Sequence, residues 1–356
     1  MLPFKIENLK KFDGHTWQPY TQVWVAPGGI YTQAPATGTP CTHLEEALLV
    51  PAFTDLQIYG AAGLLFAQCP TAAALAALAA HNRQGGVHQC LVTIATQPWP
   101  VVLQCLQVVQ QYQQQGGLGI AGLHLEGPFI NPVRRGAHLE ECVIPLTESH
   151  VEALLAYAPH TLRMITLAPE CCPPGLTARL AEAGVLVSAG HSNASYQQGV
   201  QCTKAGVKRV TLLSNALSPR DNRKPDLAAA AMLHPALCAS IIPDGIHVDY
   251  AMLRMAKQVM GDRLFFITDA VTECSTGAYP HVYAGTHYTL PNGTLSGSAI
   301  SMLQGVKNAV QYAGIELDEA LRMASLYPER MLGVHSTGAA QPHLLLSTQL
   351  ELLAWV

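Results

Sequence analysis

LGIAGLHLEGPFI, residues 118–130, is an apolar run that stops at a carboxylate, Glu126, and then turns through Gly127 and Pro128. A short apolar run followed by a longer amphipathic stretch is one strand-and-helix unit of a parallel sheet. The same unit recurs in both directions between about Leu49 and Gly333. Strands are predicted at Val50–Asp55, Gln89–Ala95, Leu118–Leu125, Leu162–Leu167, Val185–Ala189, Val207–Leu213, Leu237–Ile242 and Leu264–Thr268. Helices are predicted over Pro100–Gln115, Leu176–Ala183, Ala251–Met260 and Ala299–Ala313. Eight strands with interleaved helices point to a (β/α)8 TIM barrel of the α/β class. The placement of polar residues strengthens this. Gln57, Glu126, His191, Asn215, Asp244 with His247, and Asp269 each follow a strand, and in a barrel those positions converge on one mouth. A doubly wound sheet is the alternative, but it gathers fewer strand ends into one place.

The ends of the chain read differently. Residues 1–48 are rich in Thr, Pro and Gly with short alternating stretches, and residues 335–356 finish in LLLSTQLELLAWV. A small β-domain built from both termini, beside a barrel spanning 49–334, is the expected organisation. The chain has 356 residues, 49% of them hydrophobic, which suffices for a large core. Only 12% are charged and the formal net charge is -4, so there is no basic stripe for nucleic acid or anionic lipid. The charged start MLPFKIENLKKFDG has no apolar signal core, and runs such as Ala72–Ala80 are too short to span a bilayer. These features predict a cytoplasmic protein with no membrane or nucleic-acid partner. Ten cysteines are scattered without a C-x-x-C pair, which reads as reduced thiols.

Each chemically useful residue also has a plain structural reading. Glu126 alone could brace a loop, His191 in VSAGHSNASY could be structural, and Asp269 in FFITDAVTE could cap a helix, as Ser192 and Asn193 are expected to do. Taken together they assign more. A carboxylate and a histidine at one barrel mouth are ligands for a borderline metal, and an aspartate emerging from a dry strand is tuned for proton transfer. Asn215, Arg223 and His247, with the Asp244–Gly245 turn, form a candidate phosphate clamp. The Gly-Ser turn in PNGTLSGSAISM offers backbone donors to a polar ligand.

In order and spacing, HLEGPF, AGHS, DGIHVDY, ITDA and GTLSGS resemble the N-acetylglucosamine-6-phosphate deacetylases of the amidohydrolase superfamily, from about Pro51 to Gly333. The resemblance implies a (β/α)8 barrel with a small β-domain, a homodimer, and removal of acetate from an amino-sugar phosphate. It implies one divalent metal ion, zinc by chemistry, on Glu126 and His191, with Asp269 as general acid and base and His138 polarising the amide carbonyl. Ala137, Asn215, Ala216, Arg223, Asp244, Gly245, His247, Leu295, Ser296 and Gly297 match substrate contacts, with Arg223 serving the other protomer.

Two departures stand out. Gln57 and Tyr59 occupy the place of a His-x-His pair, which a one-metal branch of the family tolerates at its first position. Leu212, in TLLSNAL, stands where the family's Thr-His-Leu-x-Asn-Ala has a third metal-binding histidine. Gln57 and His124 are the candidate substitutes. Two functions are therefore open: metal-assisted hydrolysis of the acetamide, or binding of an amino-sugar phosphate by an impaired homologue acting as a sensor or regulatory protein.

Overall fold

In the computed structural model, the described residues are 3–26, 28–33, 40–218, 223–275, 277–333 and 342–356. Eight parallel strands follow one another around a barrel: β1 (Phe53–Ile58), β2 (Val87–Ile94), β3 (Ile120–Glu126), β4 (Leu162–Leu167), β5 (Leu186–Ala189), β6 (Arg209–Val210), β7 (Cys238–Ile241) and β8 (Leu264–Phe266). The ring closes just past β8. There the Asp269 N–H donates to the Gln57 carbonyl at 2.9 Å and the Tyr59 N–H to the Ala270 carbonyl at 3.0 Å. Asp55 clamps the same seam, accepting from the Thr268 N–H at 3.2 Å and the Thr268 hydroxyl at 2.5 Å. The barrel predicted from the sequence is the observed fold, and the doubly wound alternative is not.

Where strands differ from expectation, the backbone gives the reason. β6 is cut to two residues because Leu212 (φ +58°) and Ser214 (φ +67°) leave the extended region. Helices cover the outside of the barrel. Trp99–Gln114 buries Val102, Cys105, Leu106 and Val109, the i, i+3, i+4, i+7 stripe that seats a helix on a sheet. Met302–Gln311 starts later than predicted because Ser301 caps it, accepting from the Gln304 N–H. Ser195, rather than Ser192 or Asn193, caps the helix after β5. The Ser192 hydroxyl instead donates to Glu170, and Asn193 accepts from Arg134.

Both termini enter one six-stranded sheet, in the spatial order Leu352–Trp355, His343–Leu346, Thr42–Pro51, Phe4–Phe12, Trp17–Ala26, Gly29–Tyr31. The expected seam at 334/335 lies outside the described residues. A second, three-stranded antiparallel sheet follows β8, made of Val282–Tyr283, His287–Thr289 and Leu295–Ser298. It corrects the reading of Leu295–Gly297 as a turn: Tyr288 pairs with Gly297, and Gly297 is required because a Cβ there would stand 2.6 Å from the Val271 side chain. All ten cysteines are free thiols. Among the described residues, no helix is long and apolar enough to cross a membrane.

Candidate active site

At the C-terminal mouth of the barrel, Glu126 from β3, His138 from the loop after it, and His191 after β5 bring their ligand atoms within 4.8 Å of one another. All three are buried. His191 Nε2 lies 3.3 Å from one Glu126 oxygen and His138 Nε2 3.3 Å from the other. The Gln57 amide donates to Glu126 at 2.9 Å and to Asp269 at 2.7 Å, joining the catalytic carboxyl predicted from the sequence to the cluster. The Tyr59 hydroxyl donates to the second Glu126 oxygen.

The two histidines are set for different work. The Thr96 backbone N–H donates to His138 Nδ1 at 3.2 Å, so that nitrogen is an acceptor and the proton of the neutral ring sits on Nε2. Burial and the nearby His191 charge lower the His138 pKa, which keeps it neutral. His138 is thus a donor at Nε2. Gly127 makes this possible, since a Cβ at that position would collide with the Thr96 hydroxyl at 2.2 Å. In His191, Nδ1 donates to the Arg134 carbonyl at 3.0 Å, so Nε2 is the nitrogen turned toward Glu126 and the one that a metal would take in place of the proton.

Charge separates the two carboxyls. Burial opposes ionisation of Glu126, but the His191 charge and hydrogen bonds from both histidines hold its pKa well below the ordinary carboxylate range. Burial also opposes charge on His191, and Glu126 outweighs it, raising that pKa. For Asp269, burial and then the Glu126 charge both act upward and hold its carboxyl well above the usual value. An ionised carboxyl beside one whose affinity for a proton is raised is an arrangement for proton transfer.

Leu212 is buried in the apolar core of the barrel. It offers no ligand atom, and His124 does not replace it. The His124 ring is spent on the Leu56 carbonyl (3.2 Å) and the Thr166 hydroxyl (2.7 Å), in a chain of hydroxyls running on to Thr211 and Ser188 beneath the site. Burial pushes its pKa down to about 4. The donor set that fits a divalent cation is Glu126 and His191, while His138 Nε2, in the same cluster, carries a proton and faces the site as a hydrogen-bond donor.

The remaining predicted residues spread around the mouth. Asn215 and Ala216 are half-buried on the turn after β6, and Arg223 is exposed. After β7, Asp244 does not present a free carboxylate. It accepts from the Ile246 and His247 N–H groups at 3.0 and 2.9 Å and from His247 Nδ1 at 2.6 Å, so it orients His247. Ala137 and Ser296 line a cavity beside His138, with the Ser296 hydroxyl 2.9 Å from His281 Nδ1. Sequence reasoning missed Thr96, Gln97, Tyr279 and His281. Tyr279 donates to the Thr96 carbonyl at 2.5 Å and accepts from the Leu139 N–H at 3.3 Å, pinning the loop that carries His138.

The pattern of the Amidohydrolase family matches residues 48–342. The N-acetylglucosamine-6-phosphate deacetylase of Haemophilus influenzae is 30% identical over 310 residues, 84% of this chain and 80% of that one. The N-acetylgalactosamine-6-phosphate deacetylase of Escherichia coli O157:H7 is 31% identical over 339 residues, 92% of this chain and 89% of that one. Among solved structures, the N-acetylglucosamine-6-phosphate deacetylase of Pasteurella multocida superposes with a TM-score of 0.89 at 28% identity, covering 100% of this chain and 98% of the other. A mutant of the Mycobacterium smegmatis enzyme, solved in complex with N-acetyl-D-glucosamine-6-phosphate, gives 0.85 at 27% identity, covering 100% and 97%.

Proposed function

Because the chain belongs to the amidohydrolase family, and within it to the N-acetylglucosamine-6-phosphate deacetylases, we propose that it hydrolyses the acetamide of N-acetylglucosamine 6-phosphate to glucosamine 6-phosphate and acetate. The observation that carries the reading is the meeting of Glu126, His138, His191 and Asp269 at one mouth. One divalent ion, zinc by the nitrogen-and-carboxylate chemistry of its donors, is held by Glu126 and His191. When bound it acts as a Lewis acid toward water and the amide carbonyl. The protein supplies the rest. His138 donates its Nε2 proton to the carbonyl oxygen as charge builds there. Asp269 takes the proton of the attacking water and passes it to the departing nitrogen. Asn215, Ala216, Arg223 and His247 hold the sugar phosphate, with Asp244 and Gly245 shaping the His247 loop. Ala137 and the strand Leu295–Gly297 complete the wall.

The reading extends to a cytoplasmic homodimer in which Arg223 serves the other protomer's site. Its exposed position supports that role, and sedimentation with and without Arg223→Ala tests it. The decisive experiment is acetate release from N-acetylglucosamine 6-phosphate across a zinc titration, with the galactosamine epimer alongside. Metal-dependent release is expected. No release from either sugar at any zinc level overturns the reading, and thermal stabilisation by the sugar without release would favour the binding-only alternative.

A further inference from the structure

β4 ends at Leu167 and contributes no side chain to the proposed site, yet the loop that leaves it carries an acid bonded to the loops on both sides. Pro169 opens a short 3-10 turn, Pro169–Cys171, with Glu170 at its centre. One Glu170 oxygen accepts from the Asn131 side-chain amide at 2.9 Å and from the Asn193 backbone N–H at 2.6 Å. The other accepts from the Ser192 hydroxyl at 2.7 Å. All three donors are neutral. Two of them directly follow the proposed metal ligand His191, and the third lies on the loop after β3.

His191 needs such support. Its φ of +46° lies in a region that costs a non-glycine residue about 1–3 kcal/mol and persists only where the surroundings over-determine it. Two hydrogen bonds tie it to the loop after β3: its carbonyl accepts from the Asn131 N–H at 3.0 Å, and its Nδ1 donates to the Arg134 carbonyl at 3.0 Å. Asn131 also shapes that loop, because its Oδ1 accepts from the Val133 N–H at 3.0 Å and starts the turn Pro132–Arg134 that presents the Arg134 carbonyl. The Arg134 Nε then donates to Asn193 Oδ1 at 2.9 Å, which closes a circuit around His191. Resting on the metal-hydrolase reading, we infer that Glu170 is a positioning residue for the metal: by fixing Asn131, Ser192 and Asn193 together it holds the His191 ring with Nε2 facing Glu126. It acts through His191, not on the ion or the substrate. Its bonds can be separated from its charge. A glutamine keeps the set, its Oε1 accepting from Asn131 and Asn193 and its Nε2 donating to the Ser192 oxygen, whereas an alanine removes all three bonds.

The test measures zinc affinity of the full chain by competition with a chelator, for the wild type, Glu170→Gln, Glu170→Ala, Asn131→Ala and the double alanine variant. Leu345→Ala, which opens the core of the terminal sheet, controls for stability lost elsewhere. Glu170→Ala and Asn131→Ala are each expected to weaken zinc about 10–100-fold, with Glu170→Gln within about threefold of the wild type and Leu345→Ala unchanged. Both alanines cut one circuit, so the double variant should bind about as the weaker single does, and not with the product of the two losses. At saturating zinc, kcat on N-acetylglucosamine 6-phosphate should return to the wild-type level with KM unchanged. Equal losses in the glutamine and alanine variants would mean that Glu170 acts through its charge, and overturn the inference. Unchanged affinity in both alanine variants, losses that multiply in the double variant, or a loss matched by Leu345→Ala overturn it equally. Should Glu170→Ala fail to fold, Asn131→Ala and Ser192→Ala, which each remove one of its donors, decide the matter in its place. Zinc binding without acetate release sinks the deacetylase reading alone, since the affinity ratios are read without substrate. A wild type that takes no zinc overturns the metal reading and this inference with it.

Discussion

His191, Leu212 and Asp269 share a backbone property: all three sit at positive φ (+46°, +58° and +54°) where the chain leaves a barrel strand. Non-glycine residues in that region carry about 1–3 kcal/mol of strain. At 191 and 269 the strain comes with a side chain of the proposed site, whereas at 212 the same twist presents a leucine. The backbone for a third ligand is therefore in place without the nitrogen. Leu212→His is expected to tighten zinc by about 10–100-fold, the scale on which ligand-supporting groups act, read by competition with a chelator and by acetate release at limiting metal. Unchanged affinity would mean that the new ring stays in the apolar core. The proposed proton carrier can be separated from binding. Asp269→Asn should lower kcat about 10²–10⁴-fold while sugar-phosphate affinity by calorimetry holds, and a matching loss of affinity would assign Asp269 to binding. His138 shows why sequence alone stops short here. Its identity was legible in the motif, but its tautomer depends on the Thr96 N–H, 42 residues away. Gln97 is less legible still, since TQPWP reads as a loop and nothing in it marks a buried donor that meets no acceptor among the described residues.

Among the elements, those with long apolar runs were readable, because a run ending in Glu126 or Asp269 marks both a strand and its open end. The sheet of Val282–Tyr283, His287–Thr289 and Leu295–Ser298 was not. Its strands are two to four residues long, Val282 and Tyr283 are exposed, and Gly297 is a poor strand former held by pairing with Tyr288. The Asp55–Thr268 seam that closes the barrel is another element-level feature invisible in sequence, and it makes stability depend on pH. Burial raises the Asp55 carboxyl to about 6 despite hydrogen bonds from Thr268 and Gln57. A pKa raised on folding means that the folded state holds the proton more tightly. The stabilisation is then full below about pH 4, where the unfolded chain is also protonated, and is lost as pH rises through 6. Two units correspond to about 3 kcal/mol. The stability of the wild type relative to Asp55→Asn should therefore fall by about that amount between pH 4 and 7, measured by denaturant unfolding. The asparagine fits the site, because the Thr268 hydroxyl can turn to the Gln57 carbonyl 3.4 Å away. A difference constant with pH would show that Asp55 is ionised throughout.

At the scale of the whole molecule, the terminal sheet is joined to the barrel by two strands that each face two cores. In Thr42–Pro51, Leu48 and Val50 point into the barrel core, while Ala47 and Leu49 point into the core of the terminal sheet with Ile6, Leu9, Val23 and Val25. Its partner His343–Leu346 alternates in the same way, with Leu344 and Leu346 on the barrel side and Leu345 on the other, in register Leu344↔Val50, Leu345↔Leu49 and Leu346↔Leu48. Period-two alternation thus places one backbone ladder between both cores. Contacts at the rim reinforce the junction. The Arg83 guanidinium lies 4.0 Å from the Trp355 ring centre, and the indole N–H donates to the Arg83 carbonyl at 3.1 Å. Loosening either face of the ladder loosens the register that the other face needs. Leu344→Ala and Leu345→Ala remove side chains from different cores, and each is expected to cost about 2–5 kcal/mol. The physical claim is that both lower a single, shared calorimetric transition. If Leu345→Ala instead splits off an early transition while the barrel melts at its original temperature, the terminal sheet is an independent folding unit, and the ladder links the two bodies without coupling them.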